Sequence, residues 1–213
     1  MSFWVKTNNI VKRIFFNQVW DIPNTQNTIY LTFDDGPTPE ITEWVLNILD
    51  SHAIPATFFC IGNNIDKHPD IFKKVIAHGH RIGNHTYNHL KGWKTNNDEY
   101  IRNTKGCEEA IIKHSEGKIN TRLFRPPYGK IKPLQSRLLR KQGYQIIMWD
   151  VISMDYDKTV TPEECIQNVI QNARQGSIIV FHDSQKAFQN LEHALPKAIQ
   201  GLKERGFRFD VLP

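Results

Sequence analysis

IYLTFDDGPTPE, residues 29–40, runs an alternating β-branched and aromatic segment into two adjacent acids and then into Gly-Pro. The alternation is that of a buried strand, and Gly36-Pro37 is a turn signal that ends it. Asp34 and Asp35 are neighbouring carboxylates that repel each other at the mouth of that strand. Asp and Gly are common in solvated turns, so this stretch alone fits a surface turn as well as a site. The decision rests on what the rest of the chain places at the ends of similar segments.

Six more apolar segments follow the first. The expected strands are 28–34, 56–61, 80–84, 122–126, 144–150, 177–183 and 207–212. Helical patterns lie between them, at 39–52, 69–79, 96–115, 132–143, 161–176 and 187–206, the last bent near Pro196. Gly79 is placed as a C′ glycine, and Thr161 as an N-cap with Pro162 at the first helical position. Strand and helix alternating in this way imply parallel strands with crossover helices. An open doubly wound sheet and a barrel both satisfy that pattern.

At 213 residues the chain fits one domain with a substantial core. Its 39% hydrophobic and 23% charged residues are those of an ordinary soluble globular protein. The net charge of +5 is spread out, with no Lys/Arg cluster interleaved with aromatics, which argues against nucleic acid as a partner and leaves an anionic polymer as a suitable one. Cys60, Cys107 and Cys165 fit no metal or redox spacing and read as half-buried thiols in a reducing compartment. Residues 1–20 carry neither a continuous apolar run nor a small-residue cleavage site, so a cytoplasmic protein is expected. Ile10, Val11, Ile14 and Phe15 recur at helical spacing. They mark 1–27 as an extension whose short helix packs on the domain of residues 28–213. The alternative is attachment to a membrane surface through Trp4, Phe15, Phe16 and Trp20. Nothing in the pattern speaks to oligomeric state.

Polar residues gather at the strand ends: Asp34 and Asp35 at the first, Asn84 and His85 at the third, Arg125 at the fourth, Asp150 at the fifth, His182 and Asp183 at the sixth. In parallel α/β folds that edge is where ligands and catalytic groups meet, so the pattern points to an enzyme. Adjacent strand residues point to opposite faces, and the Gly36-Pro37 turn is what brings both acids inward. One acid then binds a metal while the other accepts a proton. His85 and His89, four apart, suit one ion. With a carboxylate they form a set fit for catalytic zinc or for the facial triad of a non-haem iron oxygenase. Arg125 offers a planar fork to hold Asp34, and the turn after it displays a backbone N–H. His182, just past an apolar strand, is placed as a general acid, with a structural histidine as the alternative.

Taken in order, TFDDGP, HTYNH, RPPYG, WDVISMDY and IIVFHD resemble the motif series of the polysaccharide deacetylases, carbohydrate esterase family 4, over residues 28 to 212. ATFFCIG also resembles a strand of that family. The resemblance implies a distorted (β/α) barrel, often of seven parallel strands, and metal-dependent removal of acetyl groups from sugars. It implies Asp34 as catalytic base, Asp35, His85 and His89 as zinc ligands, Arg125 as the group orienting the base and Tyr128 as the donor of an oxyanion N–H. It implies His182 as catalytic acid, and Asp155 is chosen as the residue that orients it.

The chain departs from the pattern where Tyr156 replaces the usual Trp, Ile152 an acid and Val180 a Leu. These changes touch the acetyl-methyl pocket more than the chemistry. Trp93, Trp149 and Tyr156 are candidates for stacking on sugar faces, with core packing the competing role for Trp149. The expected reaction is N-deacetylation of N-acetylglucosamine-type sugars in a peptidoglycan- or chitin-like glycan or oligosaccharide. It uses one divalent ion, zinc, with cobalt or nickel as substitutes. The rivals are O-deacetylation of a xylan-type substrate, iron-dependent oxygenation, and a catalytically dead sugar-binding domain.

Overall fold

The computed structural model describes residues 5–213. Its elements in chain order are α1 (Asn9–Ile14), β1 (Thr28–Asp34), α2 (Ile41–Ser51), β2 (Thr57–Cys60), α3 (Gly62–Lys67), α4 (Pro69–Ala77), β3 (Arg81–Asn84), α5 (Asn97–His114), β4 (Leu123–Phe124), α6 (Pro133–Lys141), β5 (Gln145–Ile146), β6 (Val151–Ile152), α7 (Pro162–Asn172), β7 (Ile178–His182), α8 (Phe188–Glu204) and β8 (Arg208–Asp210). Thr161 caps α7 as expected: its Oγ1 accepts the Glu164 N–H while Glu164 accepts the Thr161 N–H at 2.8 Å. Gly79 follows α4 with φ 80. Helix α8 runs unbroken through Pro196. Helix α3 has no counterpart in the sequence pattern, because GNNIDK is rich in weak helix formers.

All sheet pairings are parallel, in the order β5-β4-β3-β2-β1-β7-β6, with β8 beside the start of β1. The seven segments of the path curl rather than lie flat, and chain length shows why. Strands β5 and β6 sit at opposite ends of it, which in a flat sheet would be roughly 29 Å apart. Yet five Cα steps join Ile146 to Val151, a reach of about 18 Å at most. The sheet must therefore close on itself, giving a distorted (β/α) barrel with a seam between β5 and β6. The expected strand 144–150 is split there. Its apolar run says which residues are buried, not that 147–150 leaves one edge of the sheet and crosses to the other.

Along β1, Ile29, Leu31 and Phe33 join the layer between sheet and helices. Tyr30 belongs with Phe59, Leu123, Ile147 and Ile178 to a cluster inside the barrel. The inward series continues up the strand as Thr32 and Asp34, and Asp34 is 4% exposed. The three cysteines are free and fully buried.

Residues 5–22 occupy the seam. On one side Val19 pairs with Ile147, its N–H donating to Ile146 and its carbonyl accepting from Met148, at 2.8 and 2.7 Å. On the other, Lys6 pairs with Val151, and the Thr7 N–H donates to the Asp150 carbonyl at 2.8 Å. Buried Asp150 accepts from Lys6, Lys12 and Ser177, each at 2.5 Å. An unpaired carboxylate at that depth costs roughly 3–5 kcal/mol, so these lysines hold the arm in place. Helix α1 does not pack through its apolar stripe: Ile10 and Ile14 are each 65% exposed, and no α1 residue is fully buried. Ion pairing and backbone pairing anchor the arm instead. Trp4 lies outside the described residues; Phe15 and Phe16 are exposed, and Trp20 is half-buried. Among the described residues no helix is long and apolar enough to cross a membrane.

Candidate active site

The C-terminal end of β1 carries both acids of the opening stretch, and the backbone separates them. Asp34 keeps strand geometry and points into the barrel. Its Oδ1 accepts from Arg125 Nη1 at 2.7 Å. Arg125 is fully buried, with Nη1 also donating to Thr32 Oγ1 at 2.7 Å and Nη2 to the Met148 carbonyl at 3.0 Å. Its guanidinium lies 4.1 Å from the centre of the Phe59 ring. Burial lowers its pKa, against the pull of Asp34. It stays charged, since a guanidinium does not deprotonate in proteins.

Asp35 would point to the opposite face if the strand continued. Instead it adopts φ 87, the left-handed region that a residue with a Cβ seldom enters. The next turn is held from the β7 side: Asp183 accepts the Gly36 N–H at 3.0 Å and the Thr42 hydroxyl at 2.6 Å. A Cβ on Gly36 would lie 2.0 Å from Asp183 Oδ2, so the turn requires glycine. Both acids therefore reach one site with different neighbours.

Asp35 faces His85 Nε2 at 3.7 Å and His89 Nε2 at 3.2 Å. His85 follows β3, and its Nδ1–H donates to the Arg125 carbonyl at 2.8 Å, which aims the Nε2 lone pair at Asp35. Burial lowers its pKa to about 4, so the ring is neutral. His89 is brought round by a loop with φ 64 at Thr86 and 54 at His89. That loop is tied to α5 through Asn103, which accepts the Tyr87 and Asn88 N–H groups at 2.9 Å. Burial pushes the Asp35 carboxyl up, but the imidazoles of His89, His182 and His85 outweigh it and hold the group below the usual carboxylate range. One ligand atom from each of Asp35, His85 and His89 lies within 4.8 Å of the others, and Asp35 Oδ1 is buried without a hydrogen-bond donor. Two imidazole nitrogens around an unsatisfied carboxylate oxygen fit a divalent cation.

His182 ends β7. Its Nδ1–H and backbone N–H both donate to Asp155, at 2.8 Å each. Burial lowers the imidazole pKa, but Asp155 together with the charges of Asp35 and Asp34 raises it to about 9. Opposite lies Tyr128, 57% exposed, with φ 60. Gly129 and Lys130 give their N–H groups to Pro126 and Pro127 at 2.9 and 3.0 Å, so Tyr128 is the residue whose N–H is not used inside the turn. Its ring packs on His89 at 4.6 Å between centres. A Cβ on Gly129 would meet the Trp149 ring at 2.6 Å, so the glycine lets that indole close the same corner.

One cleft of about 850 Å³ takes in Asp34, Asp35, His85, His89, Tyr128 and His182. Trp149, Ile152, Tyr156 and Val180 line it too, and the last three cluster with Met154 as an apolar corner beside His182. Arg125 and Asp155 act from behind it. The other residues read at the strand ends do not reach the cleft. Asp150 precedes β6 rather than ending a strand, and serves the arm. Asn84 holds Thr86 and α5. Asp183 holds the turn. Trp93 is exposed outside the cleft, its indole N–H donating to the Ile131 carbonyl at 3.2 Å. Sequence reasoning missed Thr7, Val11 and Trp20 of the arm and the lysines Lys91, Lys130 and Lys186, which also line the cleft. Isolated lysines in polar loops carry no pattern that would single them out.

The model of the polysaccharide deacetylase family matches residues 21–147. A peptidoglycan-N-acetylglucosamine deacetylase of Bacillus cereus is 39% identical over 192 residues, covering 90% of this chain and 69% of that protein. A chitooligosaccharide deacetylase of Azorhizobium caulinodans is 32% identical, covering 90% and 96%. Among solved structures, a peptidoglycan N-acetylglucosamine deacetylase in complex with 4-naphthalen-1-yl-N-oxidanyl-benzamide superposes with a TM-score of 0.87 at 36% identity, covering 92% of this chain and 91% of that one. A family 4 carbohydrate esterase from Streptomyces lividans in complex with acetate gives 0.78 at 27% identity, covering 87% and 93%.

Proposed function

This chain belongs to the polysaccharide deacetylase family, and on that premise we propose that it hydrolyses the N-acetyl group of N-acetylglucosamine units in a peptidoglycan- or chitin-like glycan. The observation that carries this reading is the division between two adjacent acids: Asp34 bound to Arg125, Asp35 facing two imidazoles. A divalent ion held by Asp35, His85 and His89, with zinc suiting the donors and cobalt or nickel as substitutes, would polarise the acetyl carbonyl and acidify the attacking water.

Asp34 takes the proton of that water. Arg125 holds the carboxylate fixed, so little reorganisation is needed as the proton arrives. The Tyr128 N–H donates to the oxygen on which negative charge develops. His182, protonated through its contact with Asp155, gives its proton to the departing amine. The acetyl methyl packs in the corner of Ile152, Tyr156 and Val180. Lys91, Lys130 and Lys186 give the cleft a basic lining that suits a glycan bearing carboxylates.

Metal-loaded protein is expected to release acetate from peptidoglycan fragments and chito-oligosaccharides and to leave acetylated xylan untouched. Release from xylan alone would replace the reading with O-deacetylation, and no release from any glycan would remove it.

The proton on His182 has a pH consequence. Its folded-state pKa is raised from 6.5 to about 9, so the acid form persists through neutral pH and is lost as pH rises through that value. The same pair contributes stability that is fully present below 6.5 and lost on that rise. A cation on Asp35 removes part of the support, placing the alkaline limb of kcat between about 6.5 and 9 in the loaded enzyme. Asp155→Asn should move that limb downward by about one pH unit or more in a pH–rate profile. A limb that stays in place would separate Asp155 from the proton on His182.

A further inference from the structure

The arm that closes the barrel seam also faces the cleft, and its contribution falls largely outside residues 21–147, where the family model matches. Thr7, Val11 and Trp20 line the cleft alongside the groups of the reaction. Trp20 is half-buried, and its indole N–H donates to the Phe15 carbonyl at 3.2 Å. With its polar edge satisfied inside the arm, what Trp20 presents to the cleft is apolar ring, the surface an aromatic uses to pack on a ligand. Its other neighbours belong to the cluster containing Ile146 and Met148, so the ring is supported from behind.

The arm also sets the wall next to Trp20. The Thr7 hydroxyl donates to the Trp149 carbonyl at 2.7 Å, and the Thr7 N–H to the carbonyl of the following Asp150 at 2.8 Å. Lys6 and Lys12 hold Asp150 itself at 2.5 Å, while Val19 brackets the crossing segment from its other end. Trp149 therefore stands on backbone that the arm fixes on both sides. The cleft, at about 850 Å³, lies near the top of the roughly 300–1,000 Å³ typical of small-ligand sites. That is more than one reacting sugar ring requires.

We propose that residues 5–22 build a sugar subsite, with the ring of Trp20 packing against a glycan unit that flanks the one being deacetylated. The proposal rests on the deacetylase reading and adds a preference for longer chains. It makes Trp20 a residue that sets specificity and takes no part in proton transfer.

The test is the ratio of kcat/KM for chitopentaose to that for monomeric N-acetylglucosamine, which has no flanking unit, measured on the metal-loaded protein. Trp20→Ala should lower this ratio about tenfold, mainly through a higher KM for the pentamer. Trp20→Phe, which keeps an aromatic face, should restore most of it. A general loss of folded enzyme lowers both rates and leaves the ratio unchanged, and an unchanged ratio in Trp20→Ala overturns the proposal. So does a Trp20→Phe ratio as low as that of Trp20→Ala. Wild-type protein that releases acetate from no glycan, peptidoglycan fragments included, would overturn the deacetylase reading and this proposal with it. Wild-type activity without a Trp20 effect on the ratio would sink the proposal alone.

Discussion

Asp34→Asn is expected to keep its metal and lose about a thousandfold in turnover, within the range of about 10²–10⁴ that a positioned general base contributes. The substitution keeps the side-chain shape and an oxygen facing Arg125 at the 2.7 Å contact, but an amide cannot accept the water proton. It also leaves fully buried Arg125 without its counter-charge. The Met148 carbonyl and Thr32 hydroxyl still receive its N–H groups, so the variant should melt lower yet fold. Metal content by atomic absorption and acetate release below the melting temperature check both halves. Undiminished acetate release would assign the base elsewhere.

Asp35→Asn should do the opposite to the metal. Asn tolerates the left-handed φ of 87 at this position, so the turn can survive while the negative charge goes. Losing an outer-shell partner already costs a metal site about 10- to 100-fold in affinity, and a direct ligand should cost at least the upper figure. Equilibrium dialysis should therefore find the cation gone at concentrations that saturate the parent protein, with acetate release at background. The pair of variants tests the division of labour directly. If both lose metal, or neither does, the two acids do not have separate jobs.

The parts of the site that lie on strands were legible because strand chemistry repeats. Each apolar run ends at the same edge, so Asp34, Asp35, His85, Arg125 and His182 follow one from another once the strands are parallel. Asp155 was placed beside His182 by the resemblance alone; MDY carries no local signal, and the 2.8 Å contact depends on how the loop after β6 folds back. Asp150 was misplaced because YQIIMWD reads as one strand, although the barrel closes in its middle. For the arm, the helix and its place against the domain were legible, and the means of attachment was not. Ile10, Val11, Ile14 and Phe15 have the spacing of a packed helix, but six helical residues bury little. The open edges of the seam instead demand backbone partners, which hydrophobic periodicity does not encode.

Those edges carry a further consequence. A sheet that closes through a covalent crossing rather than through hydrogen bonds between its terminal strands keeps two unpaired borders, and unpaired strand borders are templates for other chains. In this protein Val19 covers one border and Lys6 the other. The arm therefore guards colloidal behaviour as well as shape: a chain whose arm has swung away offers two strand edges at once, enough to join neighbours into open-ended stacks.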